Sequence, residues 1–214
     1  MGNKIELKPN QTILFTGDSI TAAGRGEPAY GPLGYGYVHF AGNMLLAKYP
    51  QLNLNIINTG VGGNTIGDLK GRWRRDCIEH KPDILSVLIG VNDVWFQQTS
   101  YGGAGEQVYF DEYESTYRQL LSTAREECNC RFVLAEPFMF CSDRENQMFK
   151  DLQVYIEVVH TMAEEFDAVL VPLQKKIDEQ IGQVPDEKWS ADSVHPYLWT
   201  HAWIAQRWLE ATNL

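Results

Sequence analysis

Five short apolar runs separated by segments of helical periodicity constrain the fold of this chain more than any other feature. The runs Thr12 to Phe15, Leu54 to Ile57, Ile84 to Ile89, Phe132 to Ala135 and Ala168 to Val171 are rich in β-branched and aliphatic residues and too short for helices, so they read as buried strands. Between them apolar residues recur at three- and four-residue spacing. Tyr113, Tyr117, Leu120, Leu121 and Ala124 form one such set, and Leu152, Tyr155, Ile156, Val159, Ala163 and Phe166 another. Each set marks a helix with one buried face. Leu198, Ala202, Ala205 and Leu209 predict a last helix, with Pro196 suited to a first helical position. This alternation predicts an α/β fold whose parallel sheet is covered by helices on both faces. With 214 residues, 44% of them hydrophobic, and no repeat or linker, residues 1–214 are expected to form a single domain.

Charge narrows the partners. Lys and Arg total 18 against 28 Asp and Glu, a net charge of -10, the wrong sign for gripping a nucleic-acid backbone or an anionic membrane. No stretch approaches the roughly 18 to 20 apolar residues of a membrane span. The opening residues lack the apolar centre of a secretory signal, so a cytoplasmic location is expected. Cys77, Cys128, Cys130 and Cys141 are accordingly expected as reduced thiols. Cys128 and Cys130 are too closely spaced for a usual zinc pair and lack a second pair, so no metal is expected.

Ligands of open parallel sheets gather at the carboxyl ends of the strands, so the residues after each strand carry the functional signal. After the first strand comes Gly17-Asp18-Ser19-Ile20-Thr21, and after the second Asn58-Thr59-Gly60-Val61-Gly62-Gly63-Asn64-Thr65. Gly90-Val91-Asn92-Asp93 follows the third strand, Glu136-Pro137 the fourth, and Asp192-Ser193-Val194-His195-Pro196 precedes the last helix. Ser19 falls at a strand-to-helix turn, where a hydroxyl is exposed and backbone N–H groups point outward. That is a favourable seat for a nucleophile whose oxyanion needs donors. A hydroxyl also needs a base. His195 precedes a proline, which biases it toward an extended loop conformation, and Asp192 can reach back to its Nδ1–H, leaving Nε2 for the serine. The Gly63 amide and the Asn92 side chain are candidate oxyanion donors beside the Ser19 amide. Taken singly, each feature has a plainer reading as a helix cap or tight turn. Their occurrence at successive strand ends is what capping leaves as coincidence.

The four blocks Gly17-Asp18-Ser19-Ile20, Gly63-Asn64-Thr65, Gly90-Val91-Asn92-Asp93 and Asp192-x-x-His195 resemble those of the SGNH hydrolases, the GDSL esterase and lipase family, over about Ile13 to Trp208. The resemblance implies nucleophile Ser19, base His195 and orienting Asp192, with an oxyanion hole from Ser19, Gly63 and Asn92. It also implies a flavodoxin-like three-layer α/β/α sandwich and no cofactor. Ile20 replaces the leucine of the family's motif, and Asn64 stands where aspartate is frequent. The chain lacks the Gly-x-Ser-x-Gly elbow of α/β-hydrolases.

A nucleotide-binding module is disfavoured because Thr65 occupies the third glycine position of the fingerprint begun by Gly60 and Gly62. A metal-dependent hydrolase would leave Ser19 and Gly63 without a role, and a noncatalytic carbohydrate-binding module would leave the whole set idle. The stretches Phe15 to Arg25, Leu69 to Trp73 and Ile89 to Trp95 resemble those of intracellular carbohydrate acetylesterases, including acetylxylan esterases. That resemblance implies a small acetylated sugar, such as a xylo-oligosaccharide, as substrate; a broad-specificity lipase or thioesterase is the alternative. The segments Ala22 to Gly36 and Gln97 to Phe110 are expected to rim the site, with Tyr30, Tyr35, Trp95 and Trp189 as candidate sugar-binding aromatics. Exposed aromatics also fit a homo-oligomer. Glu136 is left as either a binding or a structural carboxylate.

Overall fold

The computed structural model describes residues 5–98 and 110–214. Strands β1 (Thr12–Gly17), β2 (Asn55–Asn58), β3 (Ile84–Leu88), β4 (Arg131–Ala135) and β5 (Val169–Val171) form one parallel sheet in the order β2-β1-β3-β4-β5. The intervening helices are α1 (Ser19–Ala22), α2 (Tyr37–Lys48), α3 (Ile66–Asp76), α4 (Val91–Gln98), α5 (Phe110–Cys128), α6 (Gln147–Glu165), α7 (Leu173–Asp178), α8 (Asp186–Trp189) and α9 (Leu198–Thr212).

Strand alternation sorts the apolar residues into two cores, one on each face of the sheet. Leu14, Leu85, Val87, Phe132 and Leu134 pack with α3, α5 and α6, whereas Ile13, Phe15, Ile84, Leu88, Val133 and Ala135 pack with α2, α7 and α9. The result is the expected three-layer, flavodoxin-like sandwich. Central β3 is buried at every position, as a strand covered on both sides must be. Its one hydroxyl, on Ser86, accepts a hydrogen bond from the Trp208 indole at 3.0 Å, so the polar atom is satisfied inside the core.

The order places the topological switch at β1, whose neighbours β2 and β3 lie on opposite sides. Loops from β1 and β2 therefore diverge around a crevice at the carboxyl ends. Gly17, the last residue of β1, admits no side chain: a Cβ there would stand 2.0 Å from the Leu88 carbonyl oxygen. Only glycine lets the chain turn into α1 this close to β3.

One expectation is corrected. Pro196 does not open the last helix; it forms an extended bridge with Ser190, and α9 begins two residues later at Leu198. A proline that holds its predecessor extended keeps His195 on the loop, and the helix has to start beyond that bridge. Among the described residues no helix is long and apolar enough to cross a membrane.

Candidate active site

Ser19 is the first residue of α1, where the Asp18 carboxylate caps the helix by accepting the Ile20 N–H at 2.9 Å. The Ser19 Oγ lies 2.9 Å from His195 Nε2 across 176 residues of chain, and His195 Nδ1 lies 2.7 Å from Asp192 Oδ2. Asp192 is itself well anchored. Its Oδ1 accepts from the Ser190 hydroxyl (2.9 Å), the Val194 N–H (3.0 Å) and the His195 N–H (2.8 Å). Partial burial raises the pKa of this carboxyl, but the hydrogen bonds from the His195 backbone, the His195 ring, Val194 and Ser190 outweigh it and hold the group well below its ordinary range. A permanent carboxylate facing Nδ1 keeps the proton on that nitrogen and the lone pair on Nε2, toward the serine. His201, a neighbouring histidine, cannot substitute: burial first, and the charge of His195 second, push it down to about 4, and its Nδ1 accepts from the Tyr37 N–H.

The loop after β2 closes on this pair. Gly62 is adjacent to the nucleophile, since a Cβ there would lie 3.9 Å from the Ser19 Cβ. Gly63 has φ of +77°, a left-handed conformation that favours glycine. The Asn92 amide nitrogen donates one hydrogen to the Asn64 carbonyl at 3.0 Å, tying the start of α4 to the same loop. Behind it sits Arg72, almost wholly buried. Its guanidinium donates to the carbonyls of Gly17 (2.8 Å) and Thr59 (2.7 Å), to Asn64 Oδ1 (2.6 Å) and to Asp76 Oδ2 (3.1 Å). One planar fork thus joins the end of β1, the exit of β2 and the glycine loop. Asp93 completes the frame by accepting the Ile66 N–H on both oxygens, at 3.0 and 3.2 Å.

Ser19 and His195 open on a cavity of about 480 Å³, lined also by Ala22, Ala23, Gly24, Arg25, Glu27, Tyr35 and residues 60–62. Of the four candidate aromatics, Tyr35 borders this cavity, and Tyr30 braces it edge-on at 4.8 Å between ring centroids. Trp95 packs half-buried against the core. Trp189 is corrected outright: it is 2% exposed and stacked on Phe140 at 5.5 Å, leaving no face for a ligand. Large aromatics before a polar loop fill cores as readily as they line sites, and periodicity does not separate the two. The candidate rim segment from Gln97 to Phe110 lies for the most part outside the described residues. Glu136 is structural. Its Oε2 accepts the N–H groups of Gln174 and Lys175 at the start of α7, and its Oε1 lies 2.6 Å from His160 Nε2. The four cysteines are free thiols.

Sequence reasoning missed Arg25 and Glu27 at the cavity and Arg72 behind the loop. Arg25 could have been singled out, because it is a cation in the glycine-rich loop that follows the candidate nucleophile. Arg72 gives no such signal, since on α3 it reads as one more basic residue among Lys70, Arg74 and Arg75.

Known proteins are similar to this one over nearly the whole chain. Residues 15–202 match the GDSL-like Lipase/Acylhydrolase family. An acetylxylan esterase of Geobacillus stearothermophilus is 35% identical over 209 residues, covering 96% of this chain and 95% of the relative. The crystal structure of an acetylxylan esterase from the same organism has a TM-score of 0.91 at 34% identity, over 98% of this chain and 97% of that one. Further structures of that enzyme are of catalytic mutants in which alanine replaces a serine or a histidine. An α/β hydrolase enzyme from the metagenome of Lake Arreo, Spain, has a TM-score of 0.89 at 31% identity over 97% of each chain. With the match extending from β1 into α9, and so across every strand end that carries a candidate side chain, this chain belongs to the GDSL-like lipase/acylhydrolase family of carboxylic ester hydrolases.

Proposed function

We propose that the protein is a serine esterase that removes acetyl groups from sugar hydroxyls, xylo-oligosaccharides in particular, with residues 1–214 acting as one catalytic unit. The observation that carries the reading is the continuous hydrogen-bonded line from Ser19 Oγ through the His195 ring to Asp192, opening on a small cavity. In this mechanism His195 Nε2 takes the Ser19 proton as Oγ attacks the acetyl carbonyl, and Asp192 stabilises the imidazolium that forms. The oxyanion is held by the amides of Ser19 and Gly63 and by the Asn92 amide hydrogen not engaged with Asn64. His195 then returns the proton to the departing sugar oxygen. Water attacks the acetyl-enzyme with the same base, releasing acetate and restoring Ser19.

Short acyl groups suit a cavity walled by Ala22, Ala23, Gly24 and Gly62, where bulk is limited and the polar residues Arg25 and Glu27 interrupt any apolar groove. The acetylxylan esterase relatives support the sugar. The test compares kcat/KM on acetylated xylose, acetylated xylo-oligomers, an aryl butyrate and an acyl thioester, in the wild type and in Ser19→Ala. Acetylated sugars should rank first, and Ser19→Ala should lose nearly all turnover while remaining folded. Preference for the longer acyl chain or the thioester overturns the substrate, and substantial turnover in Ser19→Ala overturns the covalent route.

A further inference from the structure

The segment between α1 and α2 brings two opposite charges into the cavity that holds Ser19 and His195, and among the described residues neither is held in an ion pair. Arg25 is half-buried. Its Nε donates to the Gly60 carbonyl, and among the described residues no carboxylate comes within ion-pair distance of it. A guanidinium carries five N–H donors, and among the described residues the Nη groups have no acceptor, which leaves them for a ligand. Burial, followed by the positive charge of Arg72, presses the pKa of Arg25 below the ordinary guanidinium value. Asp76, whose charge reaches Arg25, lies beyond ion-pair distance of it and is paired instead with Arg72 and Arg75. Glu27 borders the same cavity, exposed, and among the described residues it forms an ion pair neither with Arg25 nor with any other cation. The loop that carries it is built from tight turns: the Glu27 carbonyl accepts from the N–H groups of Tyr30 and Gly31, and the Gly24 carbonyl accepts the Glu27 N–H.

A ligand that satisfies both groups must offer acceptors to the guanidinium and donors to the carboxylate without carrying a charge that one of them would repel. Hydroxyl groups do both, and adjacent hydroxyls on a ring do so at two points at once. Tyr35 adds an apolar face beside them, steadied edge-on by Tyr30 and by His201, the latter at 5.9 Å and 87°. An aryl or alkyl alcohol would leave both charges unanswered, and an anionic alcohol would gain from Arg25 but be opposed by Glu27. We infer that Arg25 and Glu27 form a clamp for the hydroxyls of the alcohol portion of the substrate and so select neutral, polyhydroxylated leaving groups. This rests on the esterase reading above and assigns the residues that would give it sugar specificity.

The test measures kcat/KM for an acetylated methyl xyloside and for 4-nitrophenyl acetate in the full chain, in Arg25→Gln and in Glu27→Gln. The acyl group is the same in both esters, so their ratio isolates the alcohol portion. Loss of a hydrogen bond to a charged group should lower the sugar-to-aryl ratio by about tenfold or more in each variant. Inhibition of aryl acetate hydrolysis by unacetylated xylobiose should weaken in parallel. A ratio unchanged in Glu27→Gln overturns the clamp. So does an equal fall on both esters in Arg25→Gln, which would mean that Arg25 only props Gly60. If the wild type cleaves the aryl ester but neither cleaves the xyloside nor responds to xylobiose, the sugar reading itself fails. If it cleaves the xyloside and only the variant ratios stay put, that reading stands and the clamp alone falls.

Discussion

Replacing Asp93 by asparagine should make the stability of this protein less dependent on pH, and the size of the change follows from where the carboxyl sits. Asp93 is fully buried on the first turn of α4 and accepts the Ile66 N–H at the start of α3. Burial pushes its pKa up from an ordinary 3.8 to about 7, against the Ile66 and Asp93 amides, with help from the charges on Asp18 and Asp68. The folded carboxyl therefore keeps its proton in a range where the unfolded chain has released it. Stability from this group is fully present below about pH 3.8 and is lost as pH rises through about 7. The gap is a little over three pH units, and at about 1.4 kcal/mol per unit it corresponds to about 4 kcal/mol. Asparagine keeps one oxygen for Ile66 and cannot ionise. Its extra N–H₂ group costs about 1–3 kcal/mol if it finds no acceptor, but that cost does not vary with pH. Urea unfolding of Asp93→Asn and wild type between about pH 5 and pH 8 should thus show a difference that moves in the variant's favour, by up to about 1.4 kcal/mol per unit below pH 7. Parallel stability curves across that range would refute the reasoning.

Arg72→Lys should cost about 3 kcal/mol, because one ammonium cannot span the Gly17 and Thr59 carbonyls and Asn64 Oδ1 together. Calorimetry should show Tm lower by roughly 6–12 °C for a chain of this size, with kcat/KM falling as the glycine loop loosens; a Tm within about 2 °C of wild type would show that the fork is dispensable. Asp192→Asn retains an oxygen for Ser190, Val194 and His195 yet loses the carboxylate that fixes the ring proton on Nδ1. Steady-state kinetics should show kcat reduced by about 10³–10⁴ with KM little altered, and a loss confined to KM would assign Asp192 to binding instead.

The strands and the four polar blocks were legible because both depend on local features. A buried parallel strand needs a short apolar run whichever neighbours it has, and a turn from Gly17 into Ser19 leaves its mark in adjacent residues. The aromatic rim was not legible. Tyr35 and Trp189 both lie beside polar segments, yet one borders the cavity and the other stacks on Phe140, and what separates them is which side of a loop faces the core. Glu136 could be read as a binding carboxylate for the same reason: its partners Gln174 and His160 lie on α7 and α6, far along the chain. The helix start at Leu198 rather than at Pro196 was decided by the bridge from Pro196 to Ser190, a contact that no helix propensity encodes.

By itself, then, the amino-acid sequence determined an α/β alternation, an acidic net charge, and which residues stand at the strand ends, since periodicity, net charge and turn chemistry are properties of neighbours along the chain. The tertiary structure alone decided that Ser19 and His195, 176 residues apart, stand at 2.9 Å. It also decided that Arg72 binds three segments into one frame and that Arg25 and Glu27 share a cavity without sharing a bond. Distances between residues on different loops are set by how the sheet twists and how its two cores pack, and no local pattern carries that information.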